Sequence, residues 1–430
     1  MPTRREFLES SSVAVAAAII APSPSSPASP FYQGAAIPPS IQALTSQKSR
    51  ARPITTGERQ GRIERARGLL AAEKLDGLFL TGGTSLRYFT NISWGLSERL
   101  LALILPREGR AFVVCPAFEH DRAQEQIEAG PLTGTADVMI WEEHEDPYQR
   151  VAEGLRARGI TTGRLGVEET VRHVFASGAA AALPAMQLAS GTPVTAGCRM
   201  VKDGHELELM RLAAEVTLKA YEAAYLALKD GMTQNDFAAL VSLAHQRLGF
   251  TGSAGVQVGK YSALPHGSAT PQVIREGTIL LIDGGCSVEG YASDISRTFV
   301  LGRATDRMKQ VFEIEQRAQK AALSAARPGV ECQTVDAAAR KVIVDAGFGP
   351  DYKYFTHRVG HGMGMDGHEW PYLVRGNTLP LKPGMTFSDE PGIYIPGEFG
   401  VRLEDDMVIT ESGAELFTPT SPSLEAPFGR

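Results

Sequence analysis

The chain has 430 residues, which is too long for one ordinary hydrophobic core and predicts two domains with additional segments. Hydrophobic residues make up 43% and charged residues 21%, the balance of a soluble globular protein. The formal net charge of −6 is small for this length, so neither nucleic acid nor an anionic membrane is expected as a partner.

The first 30 residues predict an export signal. A basic head precedes an apolar run over 13–21, which is followed by a stretch rich in Pro and Ser. That run is too short for a stable membrane span. The pair Arg4–Arg5 before Phe7–Leu8 resembles a twin-arginine signal, so we expect export to the periplasm and removal of this segment. No clear A-x-A site fixes the cleavage position, and a generic N-terminal tail is the alternative.

Four cysteines are spread over the chain without a CxxC pair or the spacing of a zinc site. They are expected to be free thiols, mostly buried, and not a disulfide framework. Free thiols agree with a twin-arginine route, which exports proteins that have already folded. The four are Cys115, Cys198, Cys286 and Cys332.

Composition and periodicity divide the rest of the chain into three parts. Residues 31–56 are rich in Pro, Ser, Gln and Ala without a sustained period and predict a linker. Over 57–195, short β-type runs alternate with helix-like stretches, which predicts an N-terminal α/β domain. Residues 200–420 begin with a long amphipathic helical pattern that ends at Gly231, and they hold all the candidate catalytic residues.

The second domain contains an internal repeat. Gly231 and Gly249 are 18 residues apart, and so are Gly329 and Gly347, 98 residues further along. A helix is predicted before each pair, and strands are predicted after it. A period near 100 residues is too long for a solenoid unit, so the repeat predicts two halves of one pseudo-symmetric domain with a central site. Chance spacing is the alternative.

Two acids lie on a predicted β-hairpin over 278–301. An apolar strand ends at Asp283, glycines allow a turn, and the returning strand begins near Asp294. Antiparallel neighbours lie within about 5.5 Å between Cα atoms, so both carboxylates could share an ion. An Asp that caps the turn is the alternative for either residue alone.

Three histidines fall within twelve residues of a chain that has nine. The glycines around His357, His361 and His368 let the backbone approach closely and make a rigid helix unfavourable there. We expect one imidazole to be a metal ligand and the other two to support the site or face the substrate. A histidine satisfied inside the core is the alternative for each one.

Two further strand-like segments, "PGMTFSDEPGIYI" and "GVRLEDDMVIT", each present acids beside an apolar run. Glu390 and Glu404 complete a set of four carboxylates and one imidazole, although Asp389, Asp405 and Asp406 could replace them on composition alone. Buried acids in this number require a cation, because an isolated ionised carboxylate has a large desolvation cost. Carboxylates with one histidine suit a pair of divalent metals, for which we expect Mn, with Co or Zn as alternatives.

The combined motifs resemble the pita-bread metallopeptidases, and within them the prolidase and aminopeptidase P branch. The segments that carry the resemblance are "LPHG", "IDGG…SDISRTF", "HRVGHGMGMDGHE", "PGMTFSDEPGIY" and "VRLEDD". The resemblance is strong over 200–415, and 57–190 more weakly resembles the creatinase-type N-terminal domain of that branch. It implies an α/β (α+β) chain with a smaller N-terminal domain before a pseudo-two-fold pita-bread domain. It also implies a homodimer.

The resemblance implies a role for each candidate residue. Asp294 would contact both metals, Glu404 would bridge them, and Glu390 would also transfer protons. Two histidines would lie around the substrate carbonyl and prolyl ring, with a third histidine and an arginine supporting the site. The implied metal ligands are Asp283, Asp294, His361, Glu390 and Glu404. The implied catalytic residues are His266, His357, His368, Glu390 and Arg402, of which His266 and His368 face the substrate.

The implied reaction is hydrolysis of the N-terminal Xaa-Pro bond of peptides or dipeptides, through a hydroxide that bridges the two metals. Trp370 departs from the family pattern, because the position after His-Glu is usually smaller or Pro, and this affects the expected shape of the substrate pocket. A hydrolase or lyase of the same fold that acts on a non-peptide metabolite is the alternative. A binding module without activity is disfavoured, because all five ligand positions are filled.

Overall fold

The structure is a computed structural model, and it describes residues 36–429. The signal predicted over 1–30 and the first part of the predicted linker lie outside the described residues. Within the described part, no helix is both long enough and apolar enough to cross a bilayer.

Helices and strands alternate along most of the described chain. The helices are α1 (Pro39–Gln42), α2 (Thr56–Ala72), α3 (Thr84–Thr90), α4 (His120–Glu128), α5 (Pro147–Arg156), α6 (His173–Ala182), α7 (Thr192–Arg199), α8 (Gly204–Tyr225), α9 (Gln234–Leu248), α10 (Asp306–Ala325) and α11 (Cys332–Asp345). The strands are β1 (Gly77–Thr81), β2 (Ala102–Pro106), β3 (Ala111–Pro116), β4 (Ala136–Trp141), β5 (Gly163–Val167), β6 (Met186–Ser190), β7 (Thr251–Val258), β8 (Ile279–Val288), β9 (Tyr291–Ala292), β10 (Ile295–Val300), β11 (Gly360–Gly362), β12 (Glu369–Leu373), β13 (Thr386–Asp389), β14 (Gly392–Ile395), β15 (Phe399–Arg402), β16 (Asp405–Ile409) and β17 (Ala414–Leu416).

The N-terminal domain is built on a six-stranded sheet with the order β4-β3-β2-β1-β5-β6. Strands β1, β2 and β3 pair antiparallel, and the other three pairs, β3–β4, β1–β5 and β5–β6, are parallel. Leu78 and Leu80 pack in one apolar cluster and Phe79 in another, since alternate side chains point to opposite faces. Both faces of the sheet are therefore covered, which explains why its central strands β1, β2 and β3 are almost continuously apolar. The predicted α/β alternation is confirmed.

The start of α2 is fixed by a reciprocal cap. Thr55 accepts a hydrogen bond from the Glu58 amide, and the Glu58 carboxylate accepts one from the Thr55 amide. Burial raises the pKa of Glu58, but the hydrogen bonds from Thr55 and the contact with His205 outweigh burial and lower this pKa to about 2. Because His205 belongs to α8, the cap also joins the two domains.

Part of the predicted linker packs against the second domain. Ile41 is fully buried, and the Ser40 hydroxyl donates to the Ala223 carbonyl on α8 at 2.8 Å. Arg50 forms an ion pair with Glu215 on the same helix at 2.8 Å. The segment from 38 to 52 is therefore not a free tether.

The repeat predicted from glycine spacing corresponds to a repeated backbone pattern. The Gly231 amide donates to the Ile274 carbonyl at 3.0 Å, and the Gly329 amide donates to the Leu381 carbonyl at 2.9 Å. The second glycine of each pair follows its helix in the left-handed region, with φ of 94° and 91°. Helices α8 and α9 thus correspond to α10 and α11, although α8 ends six residues before the predicted stop at Gly231.

Strands from both halves form the sheets of the second domain. Strands β10, β8 and β7 form one antiparallel sheet, and β12-β11-β13-β16-β17 form another, while β14 pairs with β15. The hairpin predicted over 278–301 is confirmed as β8 and β10, but β8 continues five residues past its predicted end at Asp283, to Val288. All four cysteines are free and buried, as predicted.

Candidate metal centre and active site

The two hairpin acids lie on the same face of the β8–β10 pair. Asp283 is opposite Ser296 in the register, and Asp294 is two residues before Ser296, so the period of two directs both acids to one side. The Ser296 hydroxyl lies 3.0 Å from Asp283 Oδ1 and 2.6 Å from Glu404 Oε2. Burial and then the neighbouring Asp283 charge raise the pKa of Asp294 to about 7.

The two glutamates occupy breaks between strands. Each segment that the sequence presents as one strand is two strands in the structure. Glu390 follows β13 directly, and Glu404 lies between β15 and β16. Glu404 is almost fully buried, and burial together with Asp294 and Glu390 raises its pKa well above the ordinary value. Burial also raises the pKa of Glu390 to about 8, and the Asp294 charge contributes to the shift.

His361 presents one nitrogen to these acids. Its Nδ1 lies 3.2 Å from the Gly362 carbonyl oxygen, which can only accept, so the proton is assigned to Nδ1. The free lone pair is then on Nε2, which lies 3.3 Å from Glu390 Oε1 and 3.8 Å from Asp294 Oδ2. Burial and the adjacent His368 lower the pKa of His361 to about 3, so the ring is neutral at ordinary pH. A neutral imidazole is the form that ligates a metal.

His368 stacks on His361, with ring centroids 3.8 Å apart and an interplanar angle of 21°. Arg358 Nη2 donates to His368 Nδ1 at 3.2 Å. An arginine cannot accept, so the His368 proton is assigned to Nε2, which is thereby a hydrogen-bond donor. Burial and the Arg358 charge lower the pKa of His368, which favours the same neutral donor.

His357 is held by hydrogen bonds at both ring nitrogens. Its Nδ1 donates to the Arg358 carbonyl at 2.8 Å, and its Nε2 accepts from the Tyr394 hydroxyl at 2.7 Å. The same hydroxyl accepts from Arg402 Nη1 at 3.0 Å. Burial and the Arg402 charge lower the pKa of His357 to about 3. This residue therefore orients Tyr394 and Arg402, because neither of its nitrogens is free.

Arg402 links the acids to the loop that carries His266. Its Nη2 lies 2.6 Å from Asp283 Oδ2, and its Nη1 donates to the Pro265 carbonyl at 3.0 Å. Its Nε donates to the Ser296 hydroxyl at 2.9 Å. His266, next to Pro265, is exposed and lines the same cavity.

These side chains surround one cavity of about 510 Å³. All nine residues singled out by the sequence line it, and Arg358 and Val374 line it as well. Sequence reasoning missed Arg358, Ser296 and Tyr394. Ser296 could have been found by the strand period, since it lies two residues after Asp294.

The three acids that could have replaced Glu390 and Glu404 on composition alone lie outside the cavity. Asp405 is fully buried and accepts from Arg297 Nη2 at 2.7 Å. Asp406 accepts from the Asp294 amide at 3.2 Å, and Asp389 is buried with neither carboxylate oxygen hydrogen-bonded. None of the three lines the cavity.

The donor set fits divalent cations. Among the described residues there are three groups of potential metal ligands, and within each group the ligand atoms lie within 4.8 Å of one another. Together the groups contain all five ligands implied by the family resemblance, and His368 as well. Four carboxylates share this cavity with two guanidiniums, those of Arg358 and Arg402, so the excess of acids opposes their full ionisation unless a cation is bound. Oxygen donors with one imidazole nitrogen are the ligands that first-row divalent metals accept.

The two-domain fold and this donor set together define a metal-dependent hydrolase. Residues 208–411 match the model of metallopeptidase family M24, and residues 62–201 match the creatinase/prolidase N-terminal domain. The Xaa-Pro dipeptidase of Lactobacillus delbrueckii subsp. lactis is 34% identical over 374 residues, which cover 84% of this chain and 98% of that protein.

Solved structures agree with this assignment. Dipeptidase PepE from Mycobacterium ulcerans superposes with a TM-score of 0.81 at 34% identity, covering 87% of this chain and 100% of that one. The Xaa-Pro dipeptidase from Bacillus anthracis gives a TM-score of 0.74 at 29% identity, covering 85% and 99%. The chain belongs to metallopeptidase family M24, in its prolidase and aminopeptidase P branch, and has the pita-bread fold.

Proposed function

We propose that the protein hydrolyses the N-terminal Xaa-Pro bond of peptides or dipeptides with two divalent metal ions, Mn²⁺ being the expected metal. The observation that carries the proposal is the convergence of Asp283, Asp294, Glu390, Glu404 and the free Nε2 of His361 on one cavity. The Xaa-Pro dipeptidases among its relatives support the substrate class.

The proposed metal ligands are those five residues. When bound, two divalent cations supply an acidified water and stabilise negative charge on the oxygen of the scissile carbonyl. Three of the ligands, Asp294, His361 and Glu404, each belong to two of the three ligand groups, so neighbouring ions would share these residues. Asp294 would contact both ions and Glu404 would bridge them, as the family resemblance implies.

Other side chains supply the remaining chemistry. Glu390 is proposed to take the proton from the attacking water and return it to the prolyl nitrogen, which leaves as a secondary amine. His368 would donate from Nε2 to the oxyanion of the tetrahedral intermediate, as the hydrogen bond from Arg358 to its Nδ1 permits. His266 is proposed to contact the substrate near the prolyl ring.

The supporting groups hold these side chains in place. Arg402 orients Asp283 through its Nη2 contact and Glu404 through Ser296. His357 orients Arg402 through the Tyr394 hydroxyl. A chain of this kind keeps the carboxylates in one geometry before substrate arrives, and preorganisation of charged groups is a large part of catalysis.

The test is a direct assay with matched substrates. The purified protein is loaded with Mn²⁺ and offered an Xaa-Pro dipeptide beside an Xaa-Pro-Yaa tripeptide. Asp283→Asn serves as the inactive control and Glu398→Gln, on the surface, as the active one. Cleavage that is lost only in Asp283→Asn supports the proposal and separates a dipeptidase from an aminopeptidase. If neither peptide is cut while metal is bound, the peptidase proposal fails and non-peptide amides become the substrates to test.

We also propose export by the twin-arginine route and assembly as a homodimer. Replacement of Arg4–Arg5 by lysines should retain the protein in the cytoplasm, as measured by fractionation of the expressing cells. Light scattering of the mature protein measures the subunit number. A protein that reaches the periplasm regardless of the arginine pair would contradict the export route.

A further inference from the structure

The turn between His361 and His368 is folded around a carboxylate. The Asp366 amide donates to Glu369 Oε1 at 2.9 Å, so the turn closes on the side chain that follows His368. At Gly364 an added Cβ would lie 2.9 Å from Glu369 Oε2 and 2.8 Å from Lys202 Cε, so the carboxylate packs directly against the backbone of the turn. The conformation of this turn therefore depends on where the Glu369 carboxylate is held.

That carboxylate is held from outside the turn. Arg199, the last residue of α7 in the N-terminal domain, contacts both Glu369 and Asp366 with one guanidinium nitrogen. Lys202, which follows α7, lies 3.3 Å from Glu369 Oε2. The side chain of Arg199 is 12% exposed and that of Glu369 is 5% exposed, so the contact is shielded from water and salt.

The N-terminal domain also fixes the guanidinium itself. Arg199 Nη1 donates to the Ser85 hydroxyl at 3.2 Å, and the neighbouring Thr84 hydroxyl donates to Asp366. An arginine suits this position better than a lysine, because its planar fork holds several acceptors in fixed directions, whereas an ammonium is a point charge. The N-terminal domain thus binds two carboxylates, that of Asp366 within the turn and that of Glu369 directly after His368.

We propose that Arg199 is a positioning residue for His368, acting through the carboxylates of Glu369 and Asp366. Glu369 is bonded in sequence to His368, so a shift of its carboxylate moves the imidazole that stacks on His361. A displacement of about 1 Å at a reacting group costs about 10²-fold in rate. The N-terminal domain therefore takes part in catalysis by setting the direction of a donor in the catalytic domain. This inference rests on the proposed function, in which His368 donates to the oxyanion.

A double-mutant cycle tests the proposal on the full-length, metal-loaded protein. In the wild-type background, Arg199→Ala should lower kcat for an Xaa-Pro dipeptide by about tenfold or more with little change in KM, below the 10²–10³-fold cost of removing an oxyanion donor. In the His368→Ala background the same change should cost less than about twofold, because the group that it positions is gone. Arg199→Lys should recover part of kcat.

The matched control is Arg158→Ala. Arg158 also has a 12% exposed side chain paired with a half-exposed acid, but its partner Asp137 lies in the same domain, away from the cavity. Arg158→Ala should leave kcat unchanged. An equal loss from Arg199→Ala in both His368 backgrounds overturns the proposal, as does an equal loss of kcat in Arg158→Ala. If Arg199→Ala does not fold, Asp366→Asn is put through the same cycle with the same criteria.

A second readout does not depend on activity. Hydrogen exchange of the peptide that spans 362–370 should be faster in Arg199→Ala than in the wild type, because the Asp366 amide loses its fixed acceptor. In Arg158→Ala the exchange of this peptide should be unchanged. Unchanged exchange in Arg199→Ala overturns the proposal. A wild-type protein that binds metal but cuts no Xaa-Pro peptide refutes the proposed function instead, and the exchange experiment still decides the role of Arg199 in the turn.

Discussion

Metal binding should release protons, in a number that falls as pH rises. In the metal-free cavity, burial and mutual repulsion raise the pKa of Asp294 to about 7 and that of Glu390 to about 8, and they also raise the pKa of Glu404 well above its ordinary value. A carboxyl group must ionise to ligate a cation, so the protons that these groups hold have to leave when the metal enters.

The magnitude follows from these values. Near pH 6.5 most of Asp294 and nearly all of Glu390 are protonated, so these two groups release about two protons per site filled, and the raised pKa of Glu404 adds to the release. Near pH 8.5 Asp294 and most of Glu390 are already ionised, so the number that these two groups release falls to a fraction of one proton. The logarithm of the apparent metal affinity should therefore rise with pH, with a slope equal to that number.

Calorimetric titration with Mn²⁺ in buffers of different ionisation enthalpy measures the count directly. Glu390→Gln should release about one proton fewer than the wild type near pH 6.5 and nearly the same number near pH 8.5. Protons lost from water are common to both proteins and cancel in the difference. Glu108→Gln, at an exposed position, should leave the count unchanged. A wild-type count near zero at pH 6.5 would refute the argument, since it would mean that the carboxylates are already ionised without metal.

Three further substitutions test individual contacts seen in the structure. Arg297→Met should destabilise the fold by about 3–5 kcal/mol in thermal unfolding, because it leaves the fully buried Asp405 carboxylate without its ion-pair partner; an unchanged melting temperature would contradict this. Glu58→Ala should cost about 1 kcal/mol in urea unfolding at pH 7, as the α2 cap is lost. The folded-state pKa of Glu58 lies below its unfolded value, so this cost should shrink as pH falls from 4.5 toward about 2. Tyr394→Phe should lower kcat/KM by about tenfold, because Arg402 loses one acceptor, and a fully active variant would refute its orienting role.

Much of the site was predictable because its information is local. Asp283 ends an apolar run, and the glycines that follow it before the next apolar run favour a hairpin, so the pairing of β8 with β10 follows from a short segment. The glycine spacing around 231 and 329 likewise predicts the two halves. The strand break at Glu404 was not predictable, because its segment has the composition of one continuous strand, whereas the break at Glu390 is marked by Pro391–Gly392, a turn signal that the prediction overlooked. Helix α1, which contains the buried Ile41, was not predicted because its four residues are too few to show a helical period.

The parts that could not be read from the sequence are contacts between distant residues. Arg199 is separated from Glu369 by 170 residues, and nothing near either one specifies the other. The same holds for the protons of the histidines, since Arg358 sets the tautomer of His368 and a backbone carbonyl sets that of His361. Local motifs therefore determine which groups can bind a metal. The packing of the N-terminal domain against the turn determines in which direction one of them points, and the double-mutant cycle between Arg199 and His368 measures how much of the rate depends on that direction.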